Sequence, residues 1–515
     1  MTTAPRPTGT TLVLGLGISG LAMARWVARA GDAVRVWDSR PQPPEARGLA
    51  EHVPAAERLD GVLDAGALDG VSRVLQSPGL APGDARIAPL LAAAAAAGIP
   101  VQGELDLFHE ALEALRTSLD YAPKIVAVTG TNGKTTTTAM TALLVERSGR
   151  RVAAAGNIGP TLLQTLADAL DAGPPDSARE RLPEVWVLEL SSFQLALSAE
   201  GALDADAVAL LNLTEDHLDW HGSFAAYAAA KARIFGRRAV IVVDRDDAAV
   251  RQLMPPPLQV PVKKGRTPKT IARTTVLFGA GAPERPGDFG LVVENDMTWL
   301  VRARDGDEPG AAIGVQHLMP ADALRVRGRH NALNALAALA LATAIGCPLA
   351  PMLHALREYR GEAHRVEHVG RIEGVDAFDD SKGTNVGATV AALVGLGAER
   401  APGRLVVILG GDGKGQDFTP LLEPLRRHAR AAITIGRDAG AIEKIVKRAG
   451  LPVERRDTLE AAVAAAFERA EPGDAVLLSP ACASLDMFRN YGHRAEVFVA
   501  AVQALAEASL QAHAT

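Results

Sequence analysis

The sequence has very little cysteine. Cys347 and Cys482 are the only two among 515 residues, too few for a disulfide framework and not spaced as metal ligands. This usage is typical of a reducing compartment and predicts a cytoplasmic protein. Blocks of about five or more like charges are also missing, and the formal net charge is only −6. The sequence therefore indicates neither a nucleic-acid-binding tail nor a membrane-surface helix, and any anion site must be local.

Long hydrophobic runs are absent too. A membrane span needs about 18 or more consecutive apolar residues. The Ala-rich run 90–97 is far shorter and predicts a buried helix. The apolar stretch 12–24 resembles the core of a signal peptide, but no basic segment precedes it and Arg25 interrupts it. A buried strand followed by a helix is the better prediction there.

What the sequence does contain is an alternating α/β pattern. Short runs of Val, Ile and Leu are each followed by a Gly-rich turn and an Ala/Leu-rich helical stretch, as in domains built on parallel sheets. At about 150 residues per domain, the 515 residues allow three domains. Breaks in the pattern predict these at 1–120, 121–360 and 361–515. Two segments, 171–183 and 246–314, are expected to be loop insertions because they are rich in Pro and charge.

The first glycine-rich loop follows the first expected strand and opens a helix. It reads Gly15-Leu16-Gly17-Ile18-Ser19-Gly20, a spacing that permits a tight turn and brings backbone N–H groups toward a diphosphate. Asp38 follows the second strand, where an acidic residue in a dinucleotide fold meets a ribose. A nicotinamide oxidoreductase, a nucleotide-sugar site and a structural turn all fit, and the loop alone does not choose among them.

A second loop carries the strongest nucleotide signal. Gly130-Thr131-Asn132-Gly133-Lys134-Thr135 lies between an expected strand and an expected helix that starts at Thr136. Lys134 is expected to place its charge on the β- and γ-phosphates of ATP, and the Thr135 hydroxyl is expected to bind Mg²⁺. The loop is shorter than the usual P-loop, since Val128 stands where the first glycine would be. The order of strand, loop, Lys and Thr still predicts an ATP site rather than a surface lysine on a turn.

A third glycine loop follows a strand later in the chain. It spans 410–415 and contains Lys414. An anion site and a flexible turn with an exposed lysine fit it equally, and the residues leave both alternatives open.

Acidic residues follow two further strands of the central region. Glu189 comes directly after one strand, and His217 lies in an acid-rich run just beyond the next. Because ligands collect at the carboxyl ends of strands in open α/β sheets, both are expected to contribute to a Mg²⁺ site. Taken singly, each fits a helix cap or a polar turn better. Lys231, in a helix with Ser223 as its N-cap, reads by itself as a surface lysine.

Taken in order, these motifs resemble those of the Mur ligases, and the resemblance spans nearly all of the chain. An ordered set of this size does not arise by chance. The motifs that carry the resemblance are Gly15–Gly20, Ser77–Gly79, Gly130–Thr136, Gly156–Gly159, Glu189–Leu195, Asp216–Asp219, Gly328–Asn331, His364–Arg365, Asp379–Lys382, Gly410–Lys414 and Ser479–Ser484.

The resemblance implies an α/β protein of three domains: an N-terminal Rossmann-like domain that binds UDP, a central P-loop-type ATPase domain with a mostly parallel sheet, and a C-terminal Rossmann-like domain. It implies an ADP-forming acid:amino-acid ligase of peptidoglycan precursor synthesis that uses ATP and two Mg²⁺ ions. We expect a monomer that acts on small molecules. The pattern 379–385 implies D-glutamate as the added amino acid and UDP-N-acetylmuramoyl-L-alanine as the acceptor. The two carboxylates of D-glutamate suit a pocket with Lys382, Lys414 and hydroxyl groups.

The resemblance also implies roles for individual residues. The catalytic residues are Lys134, Lys231, His217 and Arg365. The UDP-substrate residues are Gly17, Ser19, Asp38, Ser39, Arg40, Ser77, Gly79 and Asn157. The ATP residues are Gly130, Thr131, Asn132, Gly133, Lys134, Thr135, Thr136, Asn331, Asn334, Arg365 and Asp380. The D-glutamate residues are Lys382, Thr384, Lys414, Ser484, Leu485 and Tyr491. The metal ligands are Thr135, Glu189, His217 and Lys231, the last as a carbamate. His217 is a metal ligand rather than the general base, and the group that accepts the amine proton is not assigned.

The chain departs from the family pattern near the expected amino-acid site. Gly383 stands where Ala is common, Tyr491 where Phe is commoner, and 492–495 differ from the usual residues. A folylpolyglutamate synthase, an NAD-dependent dehydrogenase and a nucleotide-gated binding protein are the alternatives to a Mur ligase. Because ATP contacts come from two domains, we expect the C-terminal domain to close about a hinge near 359–363.

Overall fold

The computed structural model describes residues 9–157, 159–174, 177–260, 269–306, 313–326 and 328–514. Within them the chain forms three open α/β sheets in succession, with helices packed on their faces. Most strands of these sheets are short runs of Val, Ile, Leu and Ala buried on both faces, the composition expected of parallel sheets. The predicted α/β fold class is confirmed. The domain boundaries at 120 and 360 stay a prediction.

The bounds of the elements are as follows. The strands are β1 Thr10–Leu14, β2 Ala33–Trp37, β3 Glu57–Leu59, β4 Val71–Gln76, β5 Val101–Gln102, β6 Lys124–Thr129, β7 Val152–Gly156, β8 Val185–Glu189, β9 Ala207–Leu210, β10 Val240–Asp244, β11 Leu258–Val260, β12 Lys269–Ile271, β13 Thr275–Phe278, β14 Phe289–Glu294, β15 Met297–Arg304, β16 Gly314–Pro320, β17 Glu367–Ile372, β18 Val375–Asp379, β19 Leu405–Gly410, β20 Ala429–Ile435, β21 Val453–Arg455 and β22 Ala475–Leu478. The helices are α1 Ile18–Arg29, α2 Ala46–His52, α3 Ala88–Ala96, α4 Glu104–Leu119, α5 Lys134–Arg147, α6 Leu162–Asp171, α7 Ala178–Arg181, α8 Ser192–Leu197, α9 Leu218–His221, α10 Phe224–Ala232, α11 Ala248–Gln252, α12 Arg329–Ala344, α13 Leu349–Glu358, α14 Val386–Glu399, α15 Leu422–His428, α16 Ala439–Arg448, α17 Leu459–Arg469 and α18 Tyr491–Ala514. In the described part of the chain, no helix is both long and apolar enough to cross a membrane.

The first sheet has the strand order β3-β2-β1-β4-β5, and all four strand pairs are parallel. This is the order of a dinucleotide-binding sheet, in which ligands meet the loop after the central strand β1. Packing explains two glycines of that loop. Gly15 has φ +90°, and a Cβ on Gly20 would lie 1.9 Å from the Gly15 carbonyl oxygen. Helix α1 can therefore start close against the loop.

The second sheet has six strands in the order β13-β10-β9-β6-β8-β7, again all parallel. Strand β6 lies inside the sheet, and its carboxyl end leads through the loop 130–133 into α5. Helix α12 packs beside α5, and its residues 335–342 are buried on every side, as expected of a helix without a polar face. The sheet thus presents the loop 130–133 at its carboxyl edge.

The segment 246–314 is largely folded, so the expectation of a loop insertion was wrong. Strand β13 extends the second sheet, and β14, β15 and β16 form an antiparallel sheet of their own. The turn from β14 to β15 is Asn295-Asp296, with φ of 51° and 61°, as a two-residue type I′ hairpin requires. This turn signal was hidden among the surrounding Pro, Gly and Arg residues. The parts 261–268 and 307–312 lie outside the described residues.

The other expected insertion, 171–183, also contains structure. Helix α6 ends at Asp171, and the short helix α7 follows at Ala178–Arg181. The two residues 175–176 lie outside the described residues. The described part of the segment therefore contains one short helix before β8 and is not a loop throughout.

The third sheet has the order β17-β18-β22-β19-β20-β21. Strand β17 runs antiparallel to β18, whereas the other pairs are parallel. The predicted Rossmann-like C-terminal unit therefore begins with one antiparallel edge strand, a common addition to parallel sheets. Its two faces bury separate hydrophobic clusters.

The first two units share one hydrophobic core, and the third does not. The shared core runs from β1 and α1 to β8 and β9, and the Phe108 ring meets the Trp186 ring edge-on with centroids 5.0 Å apart. The C-terminal unit has cores of its own. The chain enters it through Gly361, His364 and Val366, which have φ of 92°, 65° and 48°. The expected hinge near 359–363 falls at this connection and stays a prediction.

Candidate active site between the second and third sheets

Two lysines, Lys134 half-buried and Lys231 buried, converge on one carbonyl oxygen of the loop after β6. The Lys134 ammonium donates to the carbonyl oxygens of Gly130 and Thr131, both at 2.9 Å. Lys231, from α10, donates to the same Gly130 oxygen at 2.7 Å. Lys231 is only 2% exposed, so the interpretation of this residue as a surface lysine is wrong. Two lysine side chains that meet at one backbone carbonyl form a site that favours an anion.

The surroundings of the lysines lower their pKa values. Burial lowers the pKa of Lys231 well below its usual value, and Lys134 lowers it further, while Asp216 and Glu189 act in the opposite direction. Burial also lowers the pKa of Lys134, with Glu189 opposing. A lysine with a lowered pKa is more often a neutral amine, which is its nucleophilic form. Lys231 therefore has the properties of a reactive lysine.

Tyr227 connects Lys231 with the nucleotide loop. The Lys231 ammonium lies 4.8 Å from the centre of the Tyr227 ring. The Tyr227 hydroxyl lies 2.9 Å from Thr131 Oγ1, which also donates to the Thr214 carbonyl at 3.1 Å. One aromatic side chain thus holds both the lysine and the loop in place.

The nucleotide loop is clamped from two sides. Gly133 has φ +81°, and a Cβ there would lie 2.5 Å from Asn334 Oδ1, so α12 packs directly on the loop. Asn334 donates to Asn331 Oδ1 at 3.3 Å. On the opposite side, Asn212 accepts from the Asn132 backbone N–H at 2.8 Å and donates to its carbonyl at 3.0 Å. The predicted ATP residues Asn331 and Asn334 therefore lie beside the predicted loop.

Two buried carboxylates form the acidic side of the site. Glu189, 3% exposed, accepts from the Asn157 side chain at 2.9 Å. Asp216, 6% exposed, accepts from Asn385 Nδ2 at 3.1 Å. Both carboxylates raise the pKa of Lys134 and Lys231 against the effect of burial. The acids and the lysines therefore belong to one electrostatic cluster.

His217 lies at the edge of this cluster. It starts α9 with φ +54°, its ring packs edge-on against Phe193 with centroids 4.6 Å apart, and its Nε2 is 3.5 Å from Asp216 Oδ2. Burial lowers the pKa of His217 to about 4, with Asp216 opposing and Lys414 adding to the effect. The imidazole is therefore neutral at neutral pH, which is the form that binds a metal ion.

The C-terminal unit contributes a basic residue to the nucleotide loop. Arg365 Nη2 donates to Thr135 Oγ1 at 3.0 Å. Its Nε is buried and has no hydrogen-bond partner among the described residues. An unsatisfied guanidinium N–H beside a nucleotide loop is well suited to a phosphate oxygen, because arginine binds phosphate through two parallel hydrogen bonds.

Asp380 lies next to Arg365 at the end of β18. Its Oδ2 accepts from Ser479 Oγ at 2.6 Å. Burial raises the pKa of Asp380 to about 7, with Ser479 and Arg365 opposing. A Cβ at Gly383 would lie 2.6 Å from the same Oδ2. Glycine at this position therefore matches the close approach of Asp380.

A cavity of 620 Å³ separates the second and third sheets. It is bounded on one side by Asn132, Thr136 and Asn331 and on the other by Arg365 and Asp380. A cavity of this size accommodates a nucleotide-sized ligand. Residues that were predicted to bind ATP therefore line one cavity.

The predicted amino-acid residues come from two neighbouring loops and α18. Asp412 donates its N–H to the Ala483 carbonyl at 3.0 Å and accepts in return at 2.8 Å, which joins the loops 410–415 and 479–484. Lys382 Nζ lies 5.8 Å from the centre of the Tyr491 ring. Burial and the nearby Arg365 lower the pKa of Lys382 to about 8.

The remaining predicted amino-acid residues differ in exposure. Ser484 is 4% exposed, whereas Leu485 is 72% exposed. Lys414 has φ +52°, and its charge contributes to the low pKa of His217. The backbone N–H of Thr384 donates to the Lys382 carbonyl at 2.9 Å, so the two residues lie in one tight turn.

Seven of the eight predicted UDP residues form a separate group after β1, β2 and β4, whereas Asn157 follows β7 and contacts Glu189. The Asp38 carboxylate accepts from the Leu16 N–H at 2.7 Å and pairs with Arg40 at 2.8 Å. Burial raises its pKa, but the hydrogen bonds from Arg40 and Leu16 lower it to about 2. Ser77 lies against Gly15, where a Cβ would approach the Ser77 Cβ to 2.9 Å.

Two glycines of this group have no packing reason to be glycine. A Cβ at Gly17 or Gly79 would meet nothing within 4 Å. Ser19 and Ser39 are half-buried beside them. Open space next to these backbones suits the close approach of a diphosphate. In the described part of the chain, no hydrogen bond joins Asp38, Ser77 or Gly79 to the loop 130–133.

Several residues of the site were not predicted from the sequence. They are Asn212, Asp216, Tyr227, Asn385 and Arg494. Asn212 and Asp216 lie just beyond a strand end in a run from which only His217 was singled out. Arg494 is fully buried and donates to the carbonyls of Ser381 at 2.7 Å and Cys482 at 3.2 Å, which fixes both amino-acid loops. No local pattern distinguishes it from a surface arginine of α18.

The fold and this site define a three-domain nucleotide-dependent enzyme with a P-loop-type site that a basic residue of the third domain completes. Matches to protein-family models identify the family to which this enzyme belongs. The Mur ligase MurD-like N-terminal domain matches 9–103, the Mur ligase middle domain matches 128–263, and the Mur ligase glutamate ligase domain matches 364–482. The chain belongs to the Mur ligase family.

Curated relatives match over almost the whole chain. The UDP-N-acetylmuramoylalanine–D-glutamate ligase of Albidiferax ferrireducens is 54% identical over 507 residues, covering 97% of this chain and 96% of its own. The ligase of the same name from Burkholderia cenocepacia is 54% identical over 511 residues, with coverage of 96% and 97%.

Solved structures share the fold at lower identity. The UDP-N-acetylmuramate-alanine ligase MurC of Thermotoga maritima aligns with a TM-score of 0.56 at 19% identity, covering 96% of this chain and 99% of that chain. The folylpolyglutamate synthase of Mycobacterium tuberculosis, solved with ADP, aligns with a TM-score of 0.52 at 17% identity. It covers 76% of this chain and 94% of that chain.

Proposed function

We propose that this chain is the ATP-dependent ligase that adds D-glutamate to UDP-N-acetylmuramoyl-L-alanine, forming ADP and phosphate in peptidoglycan precursor synthesis. The identity of 54% over nearly the full length of D-glutamate ligases carries the choice of substrates. The match of 9–103 to a MurD-like N-terminal domain argues against a folylpolyglutamate synthase. ATP and UDP-linked precursors are cytoplasmic molecules, so the reaction belongs in that compartment.

The convergence of Lys134, Lys231 and Arg365 on one loop is the structural observation that supports this chemistry. In the first step, the terminal carboxylate of the UDP substrate attacks the γ-phosphate of ATP, and an acyl phosphate and ADP form. Three anionic groups meet in that step, so its main requirement is positive charge fixed in place. Lys134 lies in the loop that receives the phosphates, and Arg365 reaches Thr135 from the other domain.

We propose that Thr135, Glu189, His217 and carbamylated Lys231 hold two Mg²⁺ ions. The residues fit such ions on two observations: Glu189 is a buried carboxylate and His217 is neutral at neutral pH. An ammonium cannot bind a cation, so Lys231 fits only after CO₂ has converted it to a carbamate. Its lowered pKa favours the neutral amine that this conversion needs. Bound Mg²⁺ would supply charge neutralisation for the transferring phosphoryl group.

The rest of the proposed site follows from the grouping of the side chains. The ATP base and ribose occupy the 620 Å³ cavity near Asn331, Asn334 and Asp380. Asn157, bonded to Glu189, receives the alanyl end of the UDP substrate. The two carboxylates of D-glutamate bind where Lys382 and Lys414 bring positive charge. Because one chain supplies every group, we propose that the monomer is the active unit.

Phosphate release from ATP, Mg²⁺ and UDP-N-acetylmuramoyl-L-alanine tests this function. We expect release with D-glutamate and none above background with L-glutamate, L-alanine or diaminopimelate. Lys134→Ala should lower the rate by about 100-fold or more because it removes a phosphate-binding charge. Lys447→Ala, on the distant helix α16, is the control for loss of a lysine. Release with a different amino acid would refute the glutamate assignment, and no release with any would refute the ligase.

A further inference from the structure

A histidine and a buried aspartate form a pair at the entrance to the C-terminal unit. His364 Nδ1 lies 2.7 Å from Asp379 Oδ2, and Asp379 is fully buried at the end of β18. The other aspartate oxygen, Oδ1, accepts from the N–H of Ser381 at 2.9 Å and from its hydroxyl at 2.6 Å. The metal site and the ATP site described above do not use this pair.

The hydrogen bonds determine which nitrogen of His364 carries the proton. A carboxylate only accepts, so the nitrogen that faces Asp379 must donate, and Nδ1 therefore carries the hydrogen. Nε2 is then left with its lone pair and has no hydrogen-bond partner among the described residues. The His364 side chain is 30% exposed, so a ligand can reach this nitrogen. An imidazole held in this way by a carboxylate is a prepared proton acceptor.

The position of the ring points to the incoming amino acid. The centroids of the His364 and Tyr491 rings are 6.4 Å apart, and Lys382 Nζ lies 5.8 Å from the same Tyr491 ring. A backbone hydrogen bond also joins His364 to this group, because the Lys382 N–H donates to the His364 carbonyl at 3.1 Å. His364 is thus next to two residues of the proposed D-glutamate group.

The backbone around His364 is strained, which is common where a side chain must be aimed. His364 and Val366 have φ of 65° and 48°, and positive φ is a genuine outlier for a β-branched residue such as Val366. The residue between them, Arg365, reaches Thr135 on the nucleotide loop. One strained turn therefore directs Arg365 to the ATP site and His364 to the amino-acid site.

We propose that His364, oriented by Asp379, accepts the proton that D-glutamate must lose before it can attack the acyl phosphate. This inference rests on the proposed function. The amino acid arrives as an ammonium ion, and Nε2 takes one of its protons to give an imidazolium that pairs with Asp379. The amine lone pair forms the C–N bond, and the C–O bond to phosphate breaks. Phosphate leaves with the electron pair and the second proton, and the imidazolium returns its proton to water.

A metal ion is a less suitable occupant of this cluster. His364, Glu367 and Asp379 each place one ligand atom within 4.8 Å of the others. However, Asp379 already accepts three hydrogen bonds, and Glu367 accepts the backbone N–H of His364 at 2.9 Å. The side chains are arranged to orient the imidazole. The charged groups around it are Asp379 on β18, Glu367 on β17, Arg365 and Lys382 on the adjoining turns, and Arg494 on α18.

The test separates the two halves of the reaction. Hydroxylamine in place of D-glutamate traps the acyl phosphate as a hydroxamate, and it needs no proton acceptor because it is largely unprotonated at neutral pH. For His364→Gln we expect kcat with D-glutamate to fall by about 100-fold or more, with the KM for D-glutamate nearly unchanged. Hydroxamate formation should stay within about twofold of the parent enzyme, as expected if only proton transfer is lost.

Asp379→Asn and His368→Gln complete the set. In Asp379→Asn, the amide can donate to Nδ1, which moves the ring hydrogen of His364 to Nε2. Nε2 can then no longer accept a proton, so the reaction with D-glutamate should be abolished. His368 is the matched control, since it pairs at 2.9 Å with Asp376, which lies on the same strand β18 as Asp379, while its ring packs on Phe378 rather than beside Tyr491. We expect His368→Gln to have the parent rates. Melting curves establish that each variant is folded.

The pH dependence gives an independent result. Without a proton acceptor, only free amine reacts, so the rate of His364→Gln with D-glutamate should rise about tenfold per pH unit through the neutral range. The parent enzyme should show a shallower rise. Equal loss of hydroxamate and D-glutamate product in both variants would overturn the inference, as would full activity of His364→Gln. If the parent enzyme formed no hydroxamate with the UDP substrate, the proposed function itself would fail.

Discussion

The contact between Asn385 and Asp216 should control how firmly the C-terminal unit closes on the nucleotide loop. Asn385 donates to Asp216 Oδ2 at 3.1 Å and to Asn132 Oδ1 at 3.3 Å. Its own Oδ1 caps α14 by accepting from the Ala388 N–H at 2.8 Å. Asn385→Asp keeps an oxygen for the cap but replaces the donor to Asp216 with a like charge. The variant should therefore weaken closure while α14 stays intact.

The size of the effect follows from the geometry. Two unit charges at the 3.1 Å of this contact repel by about 5 kcal/mol at an effective dielectric constant of about 20. Side-chain rotation and water entry reduce this, and we expect a net cost of about 2–3 kcal/mol in the closed state. That cost corresponds to about a 30- to 150-fold loss in kcat/KM for ATP. Global stability should change by less than about 1 kcal/mol because the cap is kept.

Steady-state phosphate release measures this cost, and Asn385→Ser provides the matched control. Serine is also a good N-cap, and it loses the bond to Asp216 without adding a charge. We expect it to lose about fivefold to tenfold in kcat/KM for ATP, as for the loss of one hydrogen bond of ordinary net strength, about 1 kcal/mol. If Asn385→Asp behaved like Asn385→Ser, charge repulsion would play no part. If Asn385→Asp had the parent kcat/KM for ATP, the contact would have no role in closure.

Three further predictions concern packing, pH and CO₂. Gly383→Ala should raise the KM for ATP by about tenfold in titrations of phosphate release, because the new Cβ would lie 2.6 Å from Asp380 Oδ2; an unchanged KM would show that the turn adapts freely. Glu104 accepts from the Leu163 N–H at 3.0 Å, and burial raises its pKa to about 7. Its contribution to stability is thus present below its unfolded pKa and is lost as the pH rises through about 7. Glu104→Gln should therefore stabilise the protein by about 2 kcal/mol at pH 8.5 and little at pH 5 in urea unfolding, and equal effects at both pH values would contradict the burial argument. Removal of CO₂ and bicarbonate should lower the ligase rate, and added bicarbonate should restore it. Mass spectrometry of the peptide that contains Lys231, in CO₂-saturated and degassed samples, checks directly for the carbamate.

Much of the fold could be predicted because glycine loops mark where strands end. Gly130 to Thr135 sit between a buried strand and a helix, and both were expected within one or two residues of their observed bounds. The segment 246–314 was misjudged because its strands are separated by Pro- and Gly-rich turns. Its one clear signal is the pair Asn295-Asp296, which needs positive φ at both residues. The Pro- and Gly-rich composition of the segment led to the prediction of a loop despite this turn signal.

The candidate site was only partly predictable, since burial depends on tertiary contacts. Lys231 lies in an Ala-rich helix with no local sign that it points inward, yet its ammonium reaches Gly130 from about 100 positions away in sequence. Arg494 is a similar case, since nothing in α18 indicates that its guanidinium holds Ser381 and Cys482. Asp216 and His217 are neighbours in sequence, and only the fold distinguishes the buried carboxylate from the neutral imidazole.

The way the three units are joined has a consequence for catalysis. The first two share a hydrophobic core that includes Phe108 and Trp186. We therefore expect the predicted UDP residues and the nucleotide loop to stay fixed relative to one another. The third unit meets the loop through polar contacts of Arg365 and Asn385, which cost little to break and reform. We therefore expect the acyl phosphate to form on the joined first and second units, while the third unit, with the predicted amino-acid residues, moves against them. If the third unit closes as we predict, one movement would bring Arg365 to the phosphates and His364 to the amine, because adjacent residues of one strained turn carry both groups.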